Sequence, residues 1–176
     1  MRQHTRIRAG SPCVILNRQS YAVISAAIIR DGVPADHAKA TEIQRAAFGH
    51  LHWAFCDEPF KVAELPEGEM MAYLMWRWTF TGEFEIVSIA THPKHQGKGV
   101  ASALIHDFCL THRGDVFLEV EETNHGAIAL YEWQGFEKTG VRHLYYENTS
   151  NGAVVMNLRN RLALDLPSAG VRVEPE

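Results

Sequence analysis

Apolar and polar residues repeat along this chain with two periods, and the period changes several times. "YAVISAAIIRDG" (21–32) is an apolar run closed by a turn signal, which predicts a strand. "PADHAKATEIQRAAF" (34–48) moves to helical spacing: Ala40, Ile43 and Ala47 share a face, Pro34 suits the first helical position and Asp36 the first turn. Residues 60–90, "FKVAELPEGEMMAYLMWRWTFTGEFEIVSIA", predict three strands broken by "LPEGE" and "FTGE", as in an antiparallel meander. A helix follows near 98–111, with Val100, Leu104, Ile105 and Phe108 on one side and Gly114 as its stop. Then come a strand in "DVFLEVE" (115–121) and a helix in "HGAIALYEW" (125–133) closed by Gly135. Two strands, "HLYYEN" (143–148) and "AVVMNL" (153–158), complete the pattern around an Asn-Gly hairpin turn. This order predicts one α/β domain over residues 21–162, a mixed central sheet of about seven strands flanked by helices. Residues 1–20 read as an N-terminal extension, and 163–176 as a tail expected to be mobile.

Composition narrows the function classes. A chain of 176 residues, 46% apolar and 22% charged, holds enough apolar material for one core. The net charge of −4 provides no basic field, so a nucleic-acid partner is not expected. The run 21–29 is too short to span a bilayer, so no membrane association is expected either. Five arginines and no acid occupy the first 30 residues, but Gly10 and Pro12 would interrupt an amphipathic targeting helix. Cys13, Cys56 and Cys109 are odd in number and scattered. They suggest no disulfide framework and point to a reducing cytoplasm.

The chemistry centres on "HPKHQGKGVASALI" (92–105), where two glycines and two lysines precede an apolar helix. A Walker A loop fails, because His92 stands where its first glycine would be and Gly99 follows Lys98. The dinucleotide pattern G-x-G-x-x-G is closer: Gly97, Gly99 and Ser102 lack only the third glycine, and Glu119 follows about 20 residues on. Against it, "THPKHQ" separates the strand from the glycines, where a dinucleotide turn is tight. Two alternatives remain, a plain connecting loop and an anion cradle. In the cradle, free amides at a helix start, the helix dipole and close approach over glycine hold a phosphate.

Gln96-x-x-Gly99-x-Ala101 resembles the Q/R-x-x-G-x-G/A signature of the GNAT superfamily of acyl-CoA-dependent N-acyltransferases, in the right place between strand and helix. "LEVEETNHGAIALYEWQGF" (118–136) is similar to a longer and more specific motif of protein N-terminal acetyltransferases, above all their bacterial branch that acetylates a ribosomal protein at its N-terminal alanine. "YYENTSNGAVVMNL" (145–158) and "EIQRAAF" (42–48) resemble that group's closing hairpin and first helix, so the resemblance covers about residues 23–160. Two positions depart from it: Glu121 stands where arginine is frequent, and Gly152 where aspartate usually precedes the alanine.

The resemblance implies acetyl-CoA as co-substrate, its pyrophosphate on the amides of Gln96, Gly97, Lys98, Gly99, Val100, Ala101 and Ser102. It further implies that Ile89, Ala90 and Thr91 line the pantetheine arm and the acetyl carbonyl, and that Asn124 contacts the cofactor, although Asn124 also suits a helix N-cap. Glu119 takes the position of the general base and Tyr131 that of the general acid; Glu85 is the reserve base. Each has a plainer role open to it, a surface ion pair for Glu119 and ring packing for Tyr131. Tyr145 and Tyr146 are expected to line the acceptor groove, the acceptor being a protein or peptide N-terminus or else a small amine. His50, His52, His92 and His95 have no Cys or carboxylate partner at a ligand spacing, so no metal is expected. The alternatives to protein N-terminal acetylation are transfer to a small amine or amino acid, and a non-catalytic acetyl-CoA-binding module. The oligomeric state is not legible.

Overall fold

The computed structural model describes residues 26–49, 58–143 and 152–159. Among them run β1 (Ile28–Asp31), a 3-10 turn at Pro34–Asp36, α1 (His37–Phe48), β2 (Phe60–Glu64), β3 (Met70–Trp78) and β4 (Phe84–Thr91). A second 3-10 turn at Pro93–His95 leads into α2 (Val100–Thr111), β5 (Val116–Glu121), α3 (His125–Trp133), β6 (Glu137–Arg142) and β7 (Ala153–Leu158). The seven strands form one sheet in the order β1-β2-β3-β4-β5-β7-β6, antiparallel throughout except for the β4–β5 pair. The predicted mixed α/β sheet is therefore observed.

β3 is the spine. Its apolar run "MMAYLMW" does not alternate because both faces are covered, and Met70 to Trp76 are all buried. Tyr73 and Met75 face α1 with Ala40, Ile43, Phe60 and Val62. Leu74 and Trp76 face the other way, with Leu104, Ile105 and Phe108 of α2 and Ile128 and Tyr131 of α3. One helix thus lies on one face and two on the other.

β4 carries the irregularity that shapes the molecule. Met75 pairs with Ser88 and Trp76 with Ile86, so Val87 is an extra residue without a partner on β3. Such a bulge bends and twists its strand. On the opposite edge, β4 pairs with β5 through Phe84↔Val116, Glu85↔Phe117 and Ile86↔Leu118, and the pairing ends there. Past the bulge β4 stays with β3 while β5 follows β7 to Glu121. A gap opens between the two halves of the sheet. Below it, Gln44 Nε2 donates to the Tyr73 hydroxyl at 3.0 Å, and that hydroxyl lies 2.9 Å from Ser88 Oγ. All three residues are buried, so this network ties α1 to both strands just after the bulge. Burial pushes the Tyr73 phenol pKa up, opposed by these two hydrogen bonds.

Several boundaries differ from expectation. The first strand begins at Ile28, and residues 21–25 lie outside the described residues. The helix expected from 98 starts at Val100, with Gly99 as its N-cap. Its stop is His112, not Gly114: the His112 N–H donates to Phe108 O at 2.9 Å, and Thr111 Oγ1 bonds the Asp107 and Phe108 carbonyls. Gly114, at φ 147°, packs against the Phe84 ring instead. On its outer edge β7 pairs with 137–142, ahead of the strand expected over 143–148; of that stretch only His143 is described, since residues 144–151 lie outside the described residues. "EKTGVR" has no alternation because all six residues are exposed; this edge strand, with a bulge between Lys138 and Gly140, takes its strand form from its ladder with β7.

Replacing Tyr73 by Phe removes the hydroxyl shared by Gln44 and Ser88. The expected loss is about 1–3 kcal/mol of unfolding free energy, read from the urea midpoint at constant slope. An unchanged midpoint would show that the network adds no stability.

Candidate active site

The glycine turn is built from the end of β4. His92 N–H donates to Met71 O at 2.8 Å, its ring Nδ1 accepts from the Lys94 N–H, and Pro93–His95 form a single tight turn. His95 is the buried residue of this turn, and its Nε2 lies 3.0 Å from Glu69 Oε1 in the β2–β3 turn. The contact with His95 holds the Glu69 carboxyl pKa below its usual value. Gln96 Nε2 reaches back to Thr91 O at 3.1 Å. Gly97 and Gly99 follow at φ 70° and 81°, the left-handed region that only glycine enters freely.

Gly99 caps α2 without a side-chain hydrogen bond, and Ala103 N–H donates to Gly99 O. The amides of Val100, Ala101 and Ser102 therefore precede the helical ladder. A Cβ on Gly97 would meet nothing within 4 Å, so the approach to the turn is open. Val100 and Ser102 bury their side chains and offer only main chain. These features fit an anionic group, which the dipole of a twelve-residue helix also favours.

The gap between β4 and β5 starts beside this turn. Because His92 N–H bonds to β3, alternation turns the N–H groups of Thr91 and Ile89 away from β3 and toward the gap. Ile89 points its side chain at the α2 face and Ala90 at the α1 face.

Glu119 is the first β5 residue past the last β4 pair. Its side chain is 10% exposed, and Oε1 accepts from Arg142 Nε at 3.0 Å. Glu85 lies on the same sheet face, one same-face position back on the neighbouring strand, and is bound to Arg77 Nε at 2.7 Å. The structure therefore brings both candidate carboxylates together, each with its own arginine, and Glu119 alone stands past the last β4–β5 pair. Tyr131 occupies the opposite face, buried in the α2–α3 core with its ring edge-on to Phe136 at 5.8 Å. Asn124 is the N-cap of α3, its Oδ1 accepting from Ala127 N–H at 3.1 Å. Tyr145 and Tyr146 lie outside the described residues.

Three partners have no local signal in the sequence. Arg142 reaches Glu119 only because β6 and β7 pair across the bulge at Gly140. Glu69 meets His95 from 26 residues away. Glu122 accepts the Gly152 N–H at 2.9 Å, while its own N–H donates to Gly152 O at 3.0 Å. At Gly152 a Cβ would sit 2.9 Å from Arg142 O, so the aspartate usual in the resembling group does not fit this backbone.

Cys109 is buried, and burial pushes its thiol pKa up to about 12, which removes it as a nucleophile. Among the described residues no three His, Cys, Asp or Glu side chains gather to hold a metal ion. Two open depressions lie elsewhere, about 510 Å³ between α3 and the β6–β7 edge and about 440 Å³ beside Phe60, Lys61 and Trp76.

The sequence profile of the acetyltransferase (GNAT) family matches residues 28–136. The chain belongs to this family. The GNAT span begins at β1 and ends just after α3, so it holds the turn, the gap, Glu119 and Tyr131. The chain is 36% identical over 75 residues to the N-alpha-acetyltransferase RimI of Mycobacterium tuberculosis, 42% of this chain and 48% of that protein. It is 34% identical over 97 residues to the [ribosomal protein bS18]-alanine N-acetyltransferase of Escherichia coli K12, 52% of this chain and 65% of that one. The match thus spans about half to two thirds of these relatives. The fold is like that of the crystal structure of the E. coli ribosomal-protein-S18-alanine N-acetyltransferase, with a TM-score of 0.67 at 24% identity, over 76% of this chain and 93% of that one.

Replacing His95 by Ala cuts the GNAT turn loose from Glu69. With that tether gone the amides of the turn are less well held in place, so calorimetry should find acetyl-CoA bound more weakly. Equal affinity would show that the turn holds its shape without the tether.

Proposed function

We propose that this chain transfers the acetyl group of acetyl-CoA to the N-terminal α-amine of a protein or peptide. One observation carries the proposal: the amide-rich turn, the outward N–H groups of β4 and the Glu119 carboxylate all border the same gap. In this arrangement the amides of Gln96 through Ser102 hold the pyrophosphate, and Ile89, Ala90 and Thr91 line the arm that carries the thioester. Asn124 contacts the cofactor from the start of α3 while capping that helix.

The chemistry then follows from the acceptor. An α-amine has a pKa near ~8 and is mostly protonated at neutral pH, so a base has to free its lone pair. Glu119 takes that proton, directly or through water, with Glu85 in reserve. The amine nitrogen bonds to the thioester carbonyl carbon, and an N–H of Ile89 or Thr91 meets the charge that grows on the oxygen. As the C–S bond breaks, Tyr131 gives its proton to the departing thiolate; the nitrogen sheds its second proton to solvent in becoming an amide, and Tyr131 is reprotonated from solvent. Tyr145 and Tyr146 hold the acceptor peptide.

A protein acceptor is favoured by the motif 118–136 and by what the mycobacterial and E. coli relatives are named for. The acidic net charge suits no nucleic-acid partner. Among the described residues no helix is long and apolar enough to cross a membrane. The cytoplasm, where scattered thiols stay reduced, is the proposed location.

Free thiol released from acetyl-CoA tests this against peptides with open N-termini, the same peptides blocked, and a panel of small amines. Release that depends on an open peptide N-terminus is expected. Release with small amines alone would move the acceptor class, and binding without turnover would leave an acetyl-CoA-binding module. In the same assay Tyr131→Phe keeps the ring and removes the proton. It should lower kcat by about 10²-fold and abolish the alkaline fall of the kcat profile, since only a titrating acid is lost as pH rises. An unchanged profile would remove Tyr131 from the chemistry.

A further inference from the structure

We infer that Arg142 is a positioning residue that sets the geometry of Glu119; this rests on the proposed role of Glu119 as base. Arg142 Nε donates to Oε1, and Oε2 has no recorded partner among the described residues. One carboxylate oxygen is therefore held by a fixed donor, the base-plus-orienter arrangement that proton transfer needs. The neighbours make the arginine matter. Glu121 shares this face of β5, and Glu85 of β4 approaches with its charge already matched by Arg77 of β3. Val155 of β7 stands opposite Glu119, and α1 buries uncharged Ala40, Ile43 and Gln44 against the sheet. Among the described residues Arg142 is the cation in direct contact with Glu119.

The place of Arg142 is itself enforced. It ends β6 and pairs with Ala153, and its carbonyl lies where a Cβ on residue 152 would reach it at 2.9 Å. Gly152 allows that close approach, and Glu122 holds Gly152 by its N–H. A clasp from Glu122 through Gly152 thus sets Arg142 against Glu119. Arginine is required rather than any cation, because the bonding atom is Nε and the planar guanidinium orients the carboxylate, which a lysine ammonium does not.

The test uses the full chain and the peptide that gives the fastest thiol release. Arg142→Ala should bind acetyl-CoA as the wild type does, yet lose about 10- to 100-fold in kcat. The loss should fall on kcat with the KM for acetyl-CoA unchanged, a split that a general loss of fold would not give. Arg142→Lys should return kcat only in part. Gly152→Ala should resemble Arg142→Ala through displacement of β6. If Arg142→Ala keeps the wild-type kcat while Glu119→Gln is inactive, this inference alone is overturned. If Glu119→Gln is fully active, the base assignment fails and Arg142 falls with it.

Discussion

The end of pairing between β4 and β5 after Ile86 is the constraint on which the rest of this structure depends. In a parallel pair the amides that face the neighbouring strand, those of alternate residues, are taken up by its backbone, and no ligand can reach them. Val87, inserted as a bulge, takes β4 out of that register while its other edge stays bonded to β3. The outward N–H groups of Ile89 and Thr91 are then left facing a gap. The buried Gln44–Tyr73–Ser88 network lies just below, where a bent strand needs a second anchor.

Around this gap the two sheet faces contribute different chemistry. The α1 face supplies the carboxylates Glu85 and Glu119, each held by an arginine from an adjoining or edge strand. The opposite face supplies the α2 N-terminus and the core-embedded Tyr131. In the proposed mechanism the group that accepts a proton and the one that releases it are thereby kept apart by the sheet and meet only where it opens. The structural roles seen for Tyr131 and Asn124, ring packing and helix capping, are compatible with chemical ones: a fixed side chain presents its polar atom in one place.

Much of this was legible in the chain. The three-strand meander, the three described helices and the glycine turn follow from hydrophobic period and turn residues, because those are local properties of backbone and side chain. The candidate base and acid came from the resemblance of the 118–136 stretch, and their placement on opposite faces agrees with the alternation of β5. Less legible was the edge strand Glu137–Arg142, whose six exposed residues have no period to read. Its strand character comes from the ladder with β7, which no local pattern announces. The end of α2 was also misread: a threonine and a histidine bond its last carbonyls, and the glycine beyond serves the packing of Phe84.

By itself, the order of residues determined the elements, the helix-capping Asn124 and the two glycines that can take positive φ before α2. Tertiary structure alone decided which charges meet. Arg142 with Glu119, His95 with Glu69 and Glu122 with Gly152 are separated by 23 to 30 residues and joined by strand register, bulges and turn contacts. Contacts of this kind carry no period and no spacing rule. Their partners are selected by where the backbone brings them, and a single residue more or less in a bulge would turn each side chain to the other face.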